Sequence, residues 1–443
     1  SWKDTADNYL SSVQQLYHTP EQTMDVVFAG SSHCYCSIYP EYLWRDYGYA
    51  AFDMAVSGQD KSANYYSLLE LLKTQSPKVI FVEAYALLYD GYSQEGNAYR
   101  NLLSMKNSVN SIRLIREAVA EEKQMDYLLR WPVVHTRYAE LTRYDFVQYA
   151  PSEYGRGANW GWKQGAGAWP EAAKTYMDAA PLSEENLRWL DRILALGDEN
   201  DIDIVFYVAP MQVYNGEQAV YNGAAEYVTA AGAKWIDCNK LFDEMGISAE
   251  TDFEDGYHCN AYGAEKVTSY MGRYLQENYE LEDHRGDTAY TVWDQSLRLY
   301  QHCEAAQGLD QLDMESYLQT VAGLEDVKLI LALEGDYKNS TLPMDQYAAW
   351  LGIPPEQYEA GGKWVVSQGE VEVFLDNASM EIVCVELSGG DFLKLENLSL
   401  KTGESVLNNI RINEEYYGKA LNGLTVIVYD PLREMIISSR GIA

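Results

Sequence analysis

The sequence predicts an α/β fold, a three-layer sandwich in which helices cover both faces of a parallel sheet, followed by a β-rich α+β domain. From Asp25 to about Tyr279, short apolar runs alternate with longer amphipathic segments, and this alternation is typical of parallel sheets. From Val327 onward, short β-type runs separated by Gly, Asp and Asn replace that pattern. The 443 residues suffice for two or three domains.

The apolar runs of the first part have the length of buried strands. In chain order, they are 25–29, 49–55, 78–83, 202–209 and 234–237. Segments with helical periodicity lie between and after them, and include 62–73, 114–122, 184–196 and 261–278. Because parallel sheets carry their chemistry beyond the carboxyl ends of the strands, we expect functional residues directly after the apolar runs.

The same pattern predicts the domain boundaries. Within the α/β domain, helical segments and a loop rich in Gly and Trp interrupt the alternation over about 100–181, which indicates an insertion over one end of the sheet. We predict a helical lead-in at 1–24, the α/β domain at 25–282, a helical linker at 283–325 and a β-rich accessory domain at 326–443.

Composition limits the classes of partner. With 33 Lys and Arg against 67 Asp and Glu, the formal net charge is −34, so nucleic acid is excluded as a partner on electrostatic grounds. The six cysteines show no C-x-x-C spacing, and the sequence predicts no metal site. The chain begins with Ser and contains no long apolar run. We expect a removed leader or membrane anchor, and therefore an extracellular or membrane-tethered protein that acts outside the cytoplasm.

The segment Gly30-Ser31-Ser32-His33 directly follows the first predicted strand. A serine at such a bend directs its hydroxyl over the edge of the sheet, and its own N–H can bind a developing oxyanion. Gly-Ser-Ser after a strand also occurs as a helix N-cap or as a phosphate-binding turn. This segment alone does not separate the alternatives.

A second segment, Asp255-Gly-Tyr-His258, precedes an amphipathic helix that Asn260 can cap. A carboxylate three residues before a histidine can bind one ring nitrogen while the other nitrogen faces a serine. The alternative is a surface loop in which Asp and His only cap and solvate the chain.

Together, in this order, the two segments resemble the SGNH (GDSL-type) hydrolase superfamily over roughly 25–279. The resemblance implies an SGNH and flavodoxin-like sheet, with Ser32 as the nucleophile, His258 as the base and Asp255 as the carboxylate that orients it. It also implies that the backbone N–H groups of Ser32 and Gly58 bind the oxyanion. No metal and no organic cofactor is implied.

One element of the family pattern is missing. The third strand runs into Glu83-Ala-Tyr-Ala-Leu-Leu, where the family carries a G-x-N-D whose asparagine completes the oxyanion hole. Asn97, farther along, is a candidate to supply that amide. Loss of one oxyanion donor costs about 10²- to 10³-fold in rate. The sequence here looks closer to the cell-surface acyltransferase-like branch, which includes teichoic-acid D-alanylation and polysaccharide O-acetylation proteins.

Other residues are candidates to contact substrate. They are His33, His135, Arg137, Trp160 and Trp162. His33 is not expected to be the base, because adjacent side chains diverge at a strand-to-helix bend, and it is either a structural or a substrate-facing residue. The two tryptophans either stack on sugar rings or fold down as a local core.

In the C-terminal region, the apolar run Val327–Glu334 is followed by the amphipathic segment Asp345–Leu351 and by β-type runs that end in Asn422–Asp430. Over roughly 320–440 this pattern is similar to an interleukin-like EMT inducer (ILEI) type domain, which implies a lectin-like or interaction module. A domain that only positions the catalytic one is the alternative. For the whole chain we expect a serine esterase or O-acyltransferase that acts on an acyl ester of a cell-envelope carbohydrate, or on an acylated small molecule, through an acyl-enzyme on Ser32. The alternative function is a non-catalytic envelope glycan-binding or assembly protein.

Overall fold

The computed structural model describes residues 13, 15–89, 101–102, 104–129, 156–165, 167–388, 390–398, 407–413, 415–419, 422–431 and 434–442. The chain divides into two compact units, Ser1–Arg298 and Leu299–Ala443.

The first unit contains a five-stranded parallel sheet. Its strands are β1 (Val26–Ala29), β2 (Ala51–Asp53), β3 (Val79–Glu83), β4 (Asp203–Val208) and β5 (Lys234–Asp237). The spatial order is β2-β1-β3-β4-β5, which is the flavodoxin-like doubly wound order. In this order the topological switch point lies between β1 and β3, so a ligand site is expected beyond the carboxyl ends of these two strands.

Helices precede or follow the strands. They are α1 (Ser32–Ser37), α2 (Pro40–Tyr47), α3 (Lys61–Leu71), α4 (Val109–Ala118), α5 (Glu121–Leu129), α6 (Glu171–Thr175), α7 (Glu184–Asn200), α8 (Asn215–Ala230), α9 (Ala261–Asn278) and α10 (Thr291–Ala306). Alternate strand residues belong to two hydrophobic clusters: Val27 and Ile80 pack with α3, α4, α7 and α8, whereas Val26 and Phe81 pack with α1, α2 and α9. Because both faces are buried, the strands are continuous apolar runs. The predicted α/β fold is confirmed.

The second unit contains two antiparallel sheets. Its strands are β6 (Lys328–Glu334), β7 (Gly362–Ser367), β8 (Glu370–Asp376), β9 (Ile382–Ser388), β10 (Asp391–Leu398), β11 (Leu407–Ile412), β12 (Glu415–Tyr416), β13 (Gly423–Asp430) and β14 (Met435–Ile442). Its helices are α11 (Met314–Ala322), α12 (Met344–Trp350) and α13 (Pro355–Ala360). The predicted β-rich composition is confirmed.

The strand β6 shows how this unit is packed. Leu329 and Leu331 lie in a cluster with the helices, whereas Ile330 and Ala332 lie in a cluster with Leu393 of the second sheet. One face of the five-stranded sheet is therefore covered by helices and the other by the four-stranded sheet.

Two kinds of feature are absent from the described ranges. Within them, no helix combines the length and the apolar character that spanning a bilayer requires. No group of three or more His, Cys, Asp or Glu side chains in these ranges is placed to hold a metal ion.

Candidate active site

Ser32 lies at the switch point of the sheet. β1 ends at Ala29, Gly30 makes the bend, and Ser32 is the first residue of α1. A Cβ on Gly30 would lie 2.4 Å from the Cβ of Glu83, so only glycine fits this bend. Ser31 is the N-cap of α1, and its Oγ accepts a hydrogen bond from the His33 N–H at 3.4 Å. The two serines thus differ in role, because Ser31 fills the capping position and Ser32 does not.

The loop before α9 holds His258 against this serine. Asp255 Oδ1 accepts hydrogen bonds from the N–H groups of Tyr257 at 2.7 Å and of His258 at 2.9 Å, which closes the loop on itself. His258 Nδ1 lies 3.1 Å from Asp255 Oδ2, and His258 Nε2 lies 2.9 Å from Ser32 Oγ. The side chain of Asn260 caps α9 by accepting hydrogen bonds from N–H groups of its first turn. The structure therefore brings the two sequence segments together in the order serine, histidine, carboxylate.

Asp255 is ionised in this arrangement. Partial burial acts to raise its pKa, but the hydrogen bonds from the Tyr257 N–H and from the His258 ring outweigh burial and hold the pKa below its ordinary value. The carboxylate can therefore accept from His258 Nδ1, which leaves Nε2 free to take a proton from Ser32. The side chain is 55% exposed, so water also reaches this carboxylate.

His33 lies behind His258. Its Nδ1 is 2.9 Å from the Tyr257 carbonyl oxygen, and because a carbonyl only accepts, Nδ1 carries the proton. The ring stacks on His258 with centroids 4.9 Å apart. Burial, with the nearby His258 as a second cause, lowers its pKa to about 3, so His33 is neutral. Only 3% of the residue is exposed. Of the two alternatives for His33, this burial and these contacts favour the structural one, in which the ring packs α1 against the loop before α9.

Glu83 supports the serine turn from the end of β3. Its Oε2 accepts from the Ser31 hydroxyl at 2.9 Å and from the Ser31 N–H at 3.4 Å, and its Oε1 accepts from the Tyr85 N–H at 2.7 Å. Burial raises its pKa to about 7, although these hydrogen bonds oppose the rise. Sequence reasoning noted Glu83 only as the place of a missing asparagine. The feature of the sequence that could have indicated this supporting role is a carboxylate at the end of an apolar strand, next to the switch point of the sheet.

Gly58 lies on the loop after β2, beside the serine turn. The N–H of Val56 donates to the Gly30 carbonyl at 3.2 Å, so this loop runs along the turn. Gly58 has a φ of +58°, which glycine adopts without steric cost. Asn101 donates from Nδ2 to the Ser57 carbonyl at 3.2 Å, and this carbonyl belongs to the same peptide group as the Gly58 N–H. Sequence reasoning missed Asn101, because it precedes α4 and reaches the loop only through folding.

The remaining predicted residues are placed as follows. Asn97, His135 and Arg137 lie outside the described residues. Trp160 is half-buried, and its Nε1 donates to the buried carboxylate of Glu41 at 3.3 Å, on α2. Of the two alternatives for Trp160, these contacts favour a local core over stacking on a sugar ring. Trp162 is also half-buried.

Comparisons with known proteins add little to this geometry. No family model matches the chain, and no curated protein does. Among solved structures, a candidate acylhydrolase from Bacteroides fragilis is similar, with 12% sequence identity, over 62% of this chain and 98% of that one. The TM-score is 0.30. At that value the likeness supports no statement about the fold or the activity of this chain.

Proposed function

We propose that the first unit is a serine esterase or O-acyltransferase that acts on an acyl ester of a cell-envelope carbohydrate. The observation that supports this proposal best is the pair of contacts made by His258, with Nε2 2.9 Å from Ser32 Oγ and Nδ1 3.1 Å from Asp255 Oδ2. Nucleophile, base and orienting group lie within the distances that acyl transfer requires.

In the proposed reaction, Ser32 Oγ attacks the ester carbonyl carbon while His258 Nε2 takes the hydroxyl proton. Asp255 stabilises the imidazolium that forms. The N–H groups of Ser32 and Gly58 bind the oxyanion. The tetrahedral intermediate then breaks its bond to the sugar oxygen, which leaves as a hydroxyl with the proton from His258, and the acyl group remains on Ser32.

The second half-reaction decides between hydrolase and transferase. Water or a sugar hydroxyl attacks the acyl-serine, His258 takes the proton of the attacking group and returns it to Ser32, and a free acid or a new ester is released. Both outcomes use the same residues. We further propose that the chain acts outside the cytoplasm and that the second unit is an accessory module.

The experiment measures acetate released from O-acetylated neutral sugars. The native chain is expected to release acetate, and Ser32→Ala to fall to background, because the nucleophile is lost. Ser37→Ala is the matched control, since Ser37 lies on the same helix and its hydroxyl donates to the His33 and Cys34 carbonyls of α1. Added unacetylated sugar that gains acetyl groups would identify a transferase. Acetate release that survives Ser32→Ala would contradict the proposal.

A further inference from the structure

A group of neighbouring tyrosines begins at His33 and at the Asp255-to-His258 loop and is not used by the proposed chemistry. We call Tyr85, Tyr89, Tyr214 and Tyr257 the tyrosine rim. Tyr85 has its ring centroid 4.0 Å from that of His33, and its hydroxyl lies 3.0 Å from the Tyr89 hydroxyl. Tyr257 lies within the Asp255-to-His258 loop itself. The rim therefore begins at the residues that hold the candidate base.

Three segments of chain contribute to the rim. Tyr214, just before α8, lies close enough to Tyr257 to be the main cause of the raised pKa of the Tyr257 hydroxyl, and the nearby Tyr89 also contributes. Lys61 Nζ donates to the Ala86 and Tyr89 carbonyls, and these bonds fix the backbone of the segment that carries Tyr85 and Tyr89. The backbone that carries Tyr89 is thus held in place by a buried side chain.

Three of these rings are open to solvent. Tyr89 is 42% exposed, Tyr214 is 54% exposed and Tyr257 is 37% exposed. Large exposed aromatic side chains that cluster beside a reactive group mark a binding surface rather than a core. Each ring offers an apolar face for C–H groups and a hydroxyl for hydrogen bonds, which matches the two kinds of surface on a sugar ring.

Charge narrows the class of ligand. Two carboxylates lie near the rim. The charge of Glu217 contributes to the raised pKa of Tyr85 and of Tyr257, and Asp255 accepts a hydrogen bond from the Tyr257 N–H. Lys61 contacts the segment that carries Tyr89, and this cation is buried and bound to carbonyl oxygens. Together with the formal charge of −34, these carboxylates disfavour an anionic polymer.

We infer that the tyrosine rim binds the neutral sugar ring that carries the scissile ester and so determines the preference for a glycan ester over a simple one. This inference deepens the proposed function and rests on it. A long acyl chain is the competing occupant, because it would use the apolar faces of the rings and not their hydroxyls.

The first test compares kcat/KM for methyl glucoside tetraacetate with kcat/KM for ethyl acetate. Tyr214→Ala and Tyr89→Ala are expected to lower the ratio of the two about ten-fold each, because each removes one stacking face. Tyr416→Ala, an equally exposed tyrosine of the second unit, should leave the ratio unchanged. An unchanged ratio in the rim variants would overturn the inference. The inference would also be overturned if the rim variants lost a preference for octanoyl over acetyl esters and kept the preference for the sugar ester.

The second test separates the inference from the proposed chemistry. Ser32→Ala, which retains the rim, is titrated by calorimetry with neutral tetramers of glucose, xylose and N-acetylglucosamine and with the anionic tetramer of galacturonic acid. We expect at least one neutral tetramer to bind, the anionic one to bind at least ten-fold more weakly, and Tyr214→Ala to weaken the neutral binding. Binding to none of the neutral sugars would overturn the rim assignment, whereas binding without any esterase activity would overturn only the proposed function.

Discussion

The side-chain amide of Asn101 donates a hydrogen bond to the carbonyl oxygen of Ser57, with Nδ2 and the oxygen 3.2 Å apart. In a planar trans peptide the carbonyl and the next N–H point in opposite directions. Fixing the Ser57 carbonyl therefore fixes the direction of the Gly58 N–H, the second donor proposed for the oxyanion. In the proposed reaction, Asn101 therefore positions an oxyanion donor through the Ser57–Gly58 peptide group, without contacting the oxyanion itself.

Asn101→Ala is expected to lower kcat about ten-fold with little change in KM, because a misdirected donor weakens binding of the transition state more than binding of the substrate. Steady-state kinetics on an acetyl ester measure this split. Asn110→Ala is the control: Asn110 is also a buried asparagine, and its Nδ2 donates to Glu70 at 2.9 Å. It should reduce stability and leave kcat unchanged. Equal kcat values for the two variants would exclude the positioning role of Asn101.

Asp255→Asn is expected to lower kcat by about 10²- to 10⁴-fold. An amide cannot stabilise the imidazolium of His258, and it can hold the ring in the wrong tautomer. The half-exposed setting of Asp255 places the expected loss toward the lower end, since water can partly replace the carboxylate. Glu254→Gln removes the neighbouring charge and should change kcat less than about three-fold. A similar loss of kcat in both variants would mean that kcat depends on the negative charge of the loop and not on the contact between Asp255 and His258 Nδ1.

The buried carboxyl of Glu41 gives the stability a pH dependence. Burial raises its pKa to about 7, against the opposing hydrogen bonds from Ser296 and Trp160. An acid whose pKa is raised on folding binds its proton more tightly in the native state. The contribution of Glu41 to native stability is therefore fully present below about pH 4.5, the pKa of the unfolded state, and is lost as the pH rises to about 7.

Glu41→Gln removes this dependence, because an amide can donate to Ser296 and accept from Trp160 at every pH. The variant minus native difference in the free energy of unfolding is expected to rise by about 3 kcal/mol between pH 4.5 and pH 8. Urea unfolding at the two pH values measures it. If the difference is the same at both, Glu41 is not the source of the pH dependence.

Much of the first unit could be predicted because its strands are buried on both faces. Such strands are apolar runs that stand out in a sequence, and all five fall within the predicted runs. In the second unit, the β-type runs that the sequence predicts are 329–333, 364–366, 371–375, 382–387, 424–429 and 435–437. These runs omit β10, β11 and the short β12. The β10 run, Asp391–Leu398, alternates buried Leu393 and Leu395 with Lys394 and Glu396, so it lacks a continuous apolar stretch.

The site could be predicted only where its chemistry is local in sequence. Ser32 follows a strand, and Asp255 lies three residues before His258, so motif spacing carries the information. Asn101 and the tyrosine rim depend on contacts between segments far apart in the chain, which spacing does not encode. The same holds for His33, whose ring bonds to a carbonyl 224 residues away.

The central claim, that Ser32 is an activated nucleophile, is tested most directly by covalent labelling. A fluorophosphonate should add one group to the native chain, and peptide mass spectrometry should place it on Ser32. Ser31→Ala removes the capping hydroxyl but keeps the nucleophile, so it should still be labelled, whereas Ser32→Ala should not. No label on the native chain, or equal labelling of Ser32→Ala, would contradict the account.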